Sequence, residues 1–250
     1  DEYTQKIIDE LKKKIDEAKN QEELDAIFDD AKDRITNLED EKVDIARQNA
    51  KTELETYASN HKELVASIIT EATNQIQMDN YQDTQHVEKV INDAKKAIDG
   101  AILNHQKMEA KEVLEQHLED TYGMLPITAA GQKLLDEAQT LIDGLNNDAE
   151  IKALLDTYKA KMTDQFNKDV LLIAFEEEYQ KLARSNNYTI AAQNELKAIY
   201  DEAVKASKET SDSESFANIL LEAIKAFNQV KIYEVKNGNF AVYQQNLTYE

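Results

Sequence analysis

The strongest constraint on the fold is one apolar pattern that occurs four times along the 250-residue chain. In each copy, apolar side chains stand at offsets 0, 3, 4, 7 and 11, which places them in one stripe along an α-helix. Neighbouring copies are 63, 64 and 65 residues apart, and a period of this length indicates successive helical modules. The four stripes are Leu24, Ile27, Phe28, Ala31, Ile35; Val87, Val90, Ile91, Ala94, Ile98; Ile151, Leu154, Leu155, Tyr158, Met162; and Phe216, Ile219, Leu220, Ala223, Phe227.

An Asn or Asp lies four residues before each stripe, where a helix would begin. Such side chains accept a hydrogen bond from the free amides of the first helical turn. In the first and third copies, Glu23 and Glu150 stand three residues after this position and complete a capping box. We therefore predict that four helices start at these caps, which are Asn20, Asp83, Asn147 and Asp212.

A second helix is predicted before each capped helix. It is marked by a Glu-Ala pair with a large apolar residue three positions before the Ala, and the small Ala side chain favours close approach of two helices. Seven positions before the Ala, three copies carry a large apolar residue, whereas the third copy carries Gly131. The Ala residues are Ala18, Ala72, Ala138 and Ala203.

Long stretches without helix breakers connect one stripe to the second helix of the next copy. They cover residues 31–58, 94–118 and 158–183, and only Gly100 interrupts them, at a cost of about 1 kcal/mol relative to Ala. Continuous helical patterns of this length are typical of helical repeats. We expect the third helix of one module to continue as the first helix of the next, in the manner of spectrin but with a shorter repeat.

The predicted fold is therefore all-α, an elongated series of tandem three-helix bundles. A partial first module with its last two helices covers 1–45, and full modules cover 46–106, 107–170 and 171–230. The remaining segment, 231–250, has two alternatives. It forms a short β-hairpin around Asn237-Gly238, or it is another first helix interrupted by that Gly.

Composition excludes several classes of function. Fifty acidic residues against 29 basic ones give a net charge of −21, which repels the phosphates of nucleic acids and of anionic membranes. With no Cys there is no disulfide, no Cys-ligated zinc and no thiol nucleophile. No apolar run approaches 18 residues, so we expect no membrane insertion within this sequence.

The sequence also contains no pattern typical of an active site, and we expect no catalytic residues, no metal site and no cofactor. The four His residues include no pair at i, i+4, and Asp83-x-x-His86 is the one acidic-x-x-His pair, whereas a di-iron bundle needs two Glu-x-x-His motifs and two further Glu. The segment 143–148 does not match a calcium loop. The protein is predicted not to be an enzyme.

Tyr122 and Tyr188 are the candidate partner-binding residues. Both lie between a first and a second helix, at one end of a predicted module, and Tyr is favoured where one side is apolar and the other wet. The alternative is that each ring packs locally over the end of its bundle.

The modules resemble the GA-type and FIVAR-type three-helix modules of Gram-positive cell-surface proteins. Residues 15–19, 22–24, 31–32 and 35 are similar to the last two helices of a GA module. Tyr188-Thr189 with Leu196 and Ala203 is similar to FIVAR spacing, although Ala192-Gln193 and Ile199-Tyr200 depart from that pattern.

The resemblance implies an extracellular, cell-surface stalk or adhesin-like region that projects other domains, with its signal and anchor outside these residues. It implies, as an alternative, a module that binds a host plasma protein such as albumin. No albumin contact is transferred, because its residues cannot be matched one by one. An intracellular helical scaffold is a further alternative, and an unbroken heptad would favour it.

Overall fold

The computed structural model describes the backbone of residues 2–78, 83–185, 187–236 and 239–244, and the side chains of 3–78, 83–185 and 187–230. The predicted all-α class is confirmed. The helices in these residues are α1 (Glu2–Glu17), α2 (Gln21–Thr36), α3 (Leu38–Ala58), α4 (Ala66–Met78), α5 (Thr84–Tyr122), α6 (Ala129–Asp143), α7 (Asp148–Ala183), α8 (Ile190–Lys208) and α9 (Ser213–Phe227), with one 3₁₀ turn at Ser59–His61.

The four predicted caps form as expected, and each helix begins one residue after its cap. Every cap side chain accepts a hydrogen bond from the amide three residues on. The N···O distances are 2.9 Å at Asn20, 3.1 Å at Asp83, 2.9 Å at Asn147 and 2.7 Å at Asp212.

The two predicted capping boxes share one variation. Glu23 accepts from the amide of Lys19 at 2.7 Å, and Glu150 accepts from the amide of Asn146 at 3.0 Å. In both cases the Glu accepts from the backbone amide of the residue before the cap rather than from that of the cap, and Glu23 also accepts from Nδ2 of Asn20 at 3.2 Å. These contacts pair one more amide at each helix start.

Two of the three predicted long helices are continuous. α5 has 39 residues and α7 has 36, and each runs from a capped start through the stripe into the next predicted first helix. The third expectation, a continuous helix over 31–58, is wrong because the helix breaks at Asn37. There Asn37 has a backbone conformation outside the helical range, with φ −107° and ψ 30°, and its Nδ2 donates to the carbonyl of Asp33 at 3.2 Å.

The chain divides into two compact units, Asp1–Gln106 and Lys107–Glu250. In the first, a core forms between α3, α4 and the N-terminal part of α5, and Tyr3 of α1 packs against it. Its buried residues are Val43, Ala46, Ala50, Leu54, Ala58, Val65, Ile69, Ala72, Ile76, Val87, Ile91, Ala94 and Ile98. The division into four modules, and their arrangement in series, stay predictions.

In the second unit, one core lies between the C-terminal part of α7, α8 and α9. Phe175 is central to it, because its ring stacks on Tyr200 and on Phe227 with centroid separations of 5.5 Å in each case. Apart from Ser207 on α8, the other buried residues of this unit lie on α5, α6 and the N-terminal part of α7: Ala110, Leu114, Leu118, Tyr122, Gly131, Leu135, Ala138, Ile142, Ile151, Tyr158 and Met162.

The C-terminal segment follows the hairpin alternative. Strand β1 (Lys231–Lys236) pairs antiparallel with β2 (Asn239–Gln244), in a register that sets Lys231 opposite Gln244 and Lys236 opposite Asn239. The predicted turn, Asn237-Gly238, lies outside the described residues. Among the helices of the described segments, none combines the length and apolar character needed to cross a membrane.

Candidate interaction surfaces

The stripe of the first copy, on α2, is exposed, whereas most of the corresponding positions in the other three copies are buried. We call Leu24, Ile27, Phe28, Ala31 and Ile35 the first-copy stripe. The side chain of Phe28 is 59% exposed and that of Ile35 is 66% exposed, and α2 buries none of its residues. By contrast, Ile91 and Ile98 in the second copy, and Leu220 and Phe227 in the fourth, are buried. Leu24, Ile27 and Ala31 of the same stripe are half-buried. The two exposed residues, Phe28 and Ile35, mark a candidate interaction surface.

Helix α1 extends this apolar surface. Ile8 and Ile15 are 39% and 38% exposed, and Leu11 is half-buried. The N-terminal part of α1 faces α3 instead, since Ile7 is buried and Tyr3 packs on the core of the first unit. The N-terminal part of α1 therefore packs on α3, while Phe28 and Ile35 of α2 stay exposed.

A charged cluster holds α1, α2 and the start of α3 together. Arg34 on α2 binds Glu10 of α1 at 3.2 Å and also binds Glu41 of α3, while Lys14 of α1 binds Asp30 of α2 at 3.2 Å. The pKa of the Arg34 guanidinium is raised, mainly by its hydrogen bond to Glu41. Hydrogen bonds from Arg34 and Lys14 lower the pKa of Glu10. The cluster fixes the polar flank of α2 and leaves its apolar stripe outward.

A groove of about 690 Å³ lies between α3 and α5 in the first unit. Ala46 of α3 contributes a small side chain to its lining. The lining is Tyr3, Lys6, Ala46, Asn49, Thr52, Glu53, Thr56, Tyr57, Glu88, Ile91, Asn92 and Lys95.

Polar contacts cross the groove and orient its side chains. The hydroxyl of Tyr57 contacts both carboxylate oxygens of Asp99, at 2.9 and 2.8 Å, and this hydrogen bond raises the pKa of Tyr57. Lys95 donates to Glu53 at 2.7 Å and its Nζ lies 5.3 Å from the centre of the Tyr57 ring. The groove offers hydrogen-bonding groups and one half-exposed ring, but it pairs no nucleophile with a base.

Tyr122, the first predicted contact residue, is buried at the end of α5. Its hydroxyl donates to Asp169 of α7 and lies 3.2 Å from Oγ1 of Thr128, which in turn donates to Asp169 at 2.7 Å. Its ring meets Phe166 edge-on with centroids 5.2 Å apart. The pKa of Tyr122 is raised to about 12, mainly by burial and also by its hydrogen bond to the Asp169 carboxylate.

Tyr188, the second predicted contact residue, is buried in the core that contains Phe175. Thr189, the next residue, caps α8 by accepting from the amide of Ala192 at 3.2 Å. Both Tyr residues therefore correspond to the local-packing alternative in this structure. A partner contact through either ring is untested.

Two of the four His residues make polar contacts with neighbouring groups. His86 Nδ1 lies 2.8 Å from its helix cap Asp83, and His117 Nε2 lies 3.2 Å from the carbonyl of Lys159. Within the described residues, no group of three or more His, Cys, Asp or Glu could hold a metal ion.

The sequence pattern predicted neither the exposure of the first-copy stripe nor the groove between α3 and α5. The stripe has the same spacing as the buried copies, so spacing alone carried no signal. The small Ala46 on α3 was the available signal for the groove.

Neither a protein-family model, a curated protein nor a solved structure matches this chain.

Proposed function

We propose that this chain is a non-enzymatic repeat segment that spaces or projects other domains at a bacterial cell surface. One observation carries the proposal: α7 holds two separate sets of buried residues, Ile151 to Met162 near its start and Phe175 to Leu182 near its end. A single rigid helix that serves two cores is a means of transmitting position along a chain of modules.

The charge supports the same proposal. A net charge of −21 favours solubility and disfavours association between copies. The GA-type and FIVAR-type resemblance supports an extracellular location, and the cell-surface assignment rests on that resemblance.

Small-angle X-ray scattering tests the spacer role. A compact protein of this length has a radius of gyration of about 18 Å. We expect a clearly larger value with a long tail in the distance distribution. A value near the compact one would contradict the proposal.

A matched pair of Pro variants tests the role of α7 directly. Asn167→Pro places Pro in the helix interior, between the two buried sets, and should kink α7 and change the distance distribution. Asp148→Pro places Pro at the first helical position, where it is tolerated, and should leave the distribution unchanged. Identical scattering from both variants would argue against a spacer that depends on α7.

Capture of a host plasma protein is the second candidate function, and the first-copy stripe favours it. Exposed apolar residues that differ between copies are expected of a binding surface rather than of a repeat core. Serum albumin is the probe that the resemblance suggests. We expect Phe28→Ser to weaken any specific binding, and an albumin interaction unaffected by that change would not support this candidate.

A further inference from the structure

The groove between α3 and α5 is crossed by two polar contacts that have the same spacing in sequence. Tyr57 of α3 contacts Asp99 of α5, and Glu53 of α3 binds Lys95 of α5. Each contact joins residues 42 positions apart, and one contact lies a single helical turn beyond the other. The two helices therefore run parallel along the groove.

A pair of side-chain amides lies one turn before these contacts. The spacing of 42 sets Asn49 of α3 opposite position 91, which adjoins Asn92 of α5, and both Asn residues line the groove. Neither of these amides hydrogen-bonds to another residue in the part of the chain that the structure describes. Each amide therefore has two donors and a carbonyl acceptor available to a ligand.

Tyr57 provides a flat apolar surface at the other end of the groove, about 12 Å along α3 from Asn49. Its side chain is 44% exposed. The Asp99 carboxylate holds its hydroxyl, and Nζ of Lys95 lies 5.3 Å from the centre of its ring. Because these contacts orient the ring before a ligand arrives, the entropic cost of binding is lowered.

The residues that give the groove this character do not recur in the next copy. The second and third stripes are 64 residues apart, so position 121 corresponds to Tyr57 and position 113 corresponds to Asn49. These positions hold Thr121 and Val113, which provide neither a ring nor an amide. The helical repeat therefore does not require the ring and the amide, and a ligand is a reason for their presence.

The lining disfavours ligands that are charged or wholly apolar. It contains two Lys and two Glu, so it is neutral within a chain of net charge −21 that repels anions. A ligand cation would compete with Lys95, whose ammonium already lies over the Tyr57 ring. An apolar ligand would leave the polar groups of the lining without partners, at a cost in free energy.

The walls of the groove also disfavour an extended peptide. Both walls are helices, whose main-chain groups are hydrogen-bonded within the helix, so the groove offers no free strand edge to a peptide backbone. Side-chain amides, carboxylates and hydroxyls remain as partners. Such groups pair well with neighbouring hydroxyls that both donate and accept, and a flat aromatic ring packs against the C–H groups of a sugar ring.

We propose that the groove between α3 and α5 binds a neutral oligosaccharide. One sugar packs against the exposed part of the Tyr57 ring, and the hydroxyls of the next sugars bond to the amides of Asn49 and Asn92. The groove volume of about 690 Å³ lies within the range of about 300–1,000 Å³ that is usual for small-molecule sites. This inference does not depend on the spacer proposal.

Saturation-transfer NMR on the full 250-residue chain tests the proposal. The probes are neutral trisaccharides of glucose, galactose, mannose and N-acetylglucosamine, each titrated to about 10 mM. We expect at least one to bind saturably, with a dissociation constant of about 1 mM or lower. Trigalacturonate, an anion, and spermidine, a cation, should each bind at least about tenfold more weakly than that trisaccharide.

Substitutions in the groove locate the binding. Tyr57→Leu removes the flat ring but keeps an apolar side chain, and it should weaken binding by about two- to tenfold. Tyr57→Phe keeps the ring and should weaken binding less. Asn92→Leu should weaken binding several-fold. The matched control is Asn74→Leu, because Asn74 is exposed on α4 outside the groove lining, and it should leave the affinity unchanged.

Circular dichroism confirms that each variant is folded before its affinity is compared. The proposal is overturned if none of the neutral trisaccharides binds saturably up to that concentration. Tighter binding of trigalacturonate or spermidine than of every neutral probe would assign the groove to a charged ligand. Binding that neither Tyr57→Leu nor Asn92→Leu weakens would place the sugar outside the groove.

Discussion

The ring of Tyr122 occupies the space into which a side chain at position 131 would project. A Cβ atom on Gly131 would lie 2.6 Å from the hydroxyl oxygen of Tyr122 and within 3.2 Å of two ring carbons. Gly131 is the one position at which the third copy departs from the apolar pattern of the second helices. The departure is therefore compensated by an aromatic ring from α5, which fills the volume that Leu196 fills in the fourth copy.

Gly131→Ala should destabilise the protein although Ala is the better helix former. The added methyl forces the buried Tyr122 ring away from Asp169, and overpacking of this kind costs about 1–3 kcal/mol. Urea denaturation, followed by circular dichroism, measures the change.

Gly100→Ala is the matched control for this substitution. Gly100 also lies within a helix, but no atom approaches within 4 Å of its added Cβ. We expect the free energy of unfolding to increase by about 1 kcal/mol, because Ala has a higher helix propensity than Gly. Equal effects at the two positions would contradict the contact with Tyr122.

At high pH, the variant Tyr122→Phe should lose less stability than the wild type loses. The folded-state pKa of Tyr122 is raised to about 12, so this residue stabilises the fold below about pH 10 and loses that contribution as pH rises towards 12. The full difference is on the order of 2 kcal/mol.

The Phe variant keeps Asp169 hydrogen-bonded, because Thr128 Oγ1 and Gln165 Nε2 donate to it at 2.7 and 2.9 Å. Its cost at neutral pH should therefore be about 1 kcal/mol. The difference in free energy of unfolding between wild type and variant should shrink above pH 10 and reverse sign towards pH 12. A constant gap would contradict a buried, protonated phenol.

Local signals in the sequence predicted the helices and their starts well. Asn20 and Asp212 act within their own first turn, so a four-residue pattern determines both bonds. The break at Asn37 was missed because no Gly or Pro marks it in a helical pattern that is otherwise continuous.

Surfaces were harder to predict, because exposure depends on which elements are present to cover a stripe. Phe28 and Leu220 occupy the same offset in their copies, yet one is exposed and the other is buried. The burial of Tyr122 likewise depends on Asp169, which lies 47 residues further along the chain. No local pattern contains that pairing.

Arg34→Met should loosen α1 and α2 from α3 within the first unit. The side chain of Arg34 is largely buried between Glu10 and Glu41, and Met replaces its apolar stem without its charge. Loss of both pairs should cost about 1–3 kcal/mol of local stability. Hydrogen exchange should become faster in α1 and α2.

The control is Lys197→Met, which removes an exposed pair with Asp201 on α8 and should have an effect near zero. Exchange in α7 to α9 should not change with either variant. Unaltered exchange of α1 in Arg34→Met would show that the charged cluster does not hold this helix.

Acid sensitivity at the cap of α9 is the last prediction, and the chain provides its own comparison. The backbone amide of Ser215 donates to Asp212 and is the main cause that lowers the pKa of this carboxyl below its usual value of 3.8. A lowered pKa means that the ionised cap stabilises the fold above about pH 4 and loses that contribution as pH falls through the folded-state pKa.

Asp212→Asn keeps a good cap that does not titrate. Wild type should therefore be more stable than the variant at pH 7. The difference in their free energies of unfolding should disappear as the pH falls towards about 2.5. Asn147→Asp makes the reverse change at the cap of α7 and should introduce the same acid dependence there. Urea midpoints at the two pH values measure both effects, and a gap for Asp212→Asn that does not depend on pH would show that the cap acts through hydrogen bonding alone.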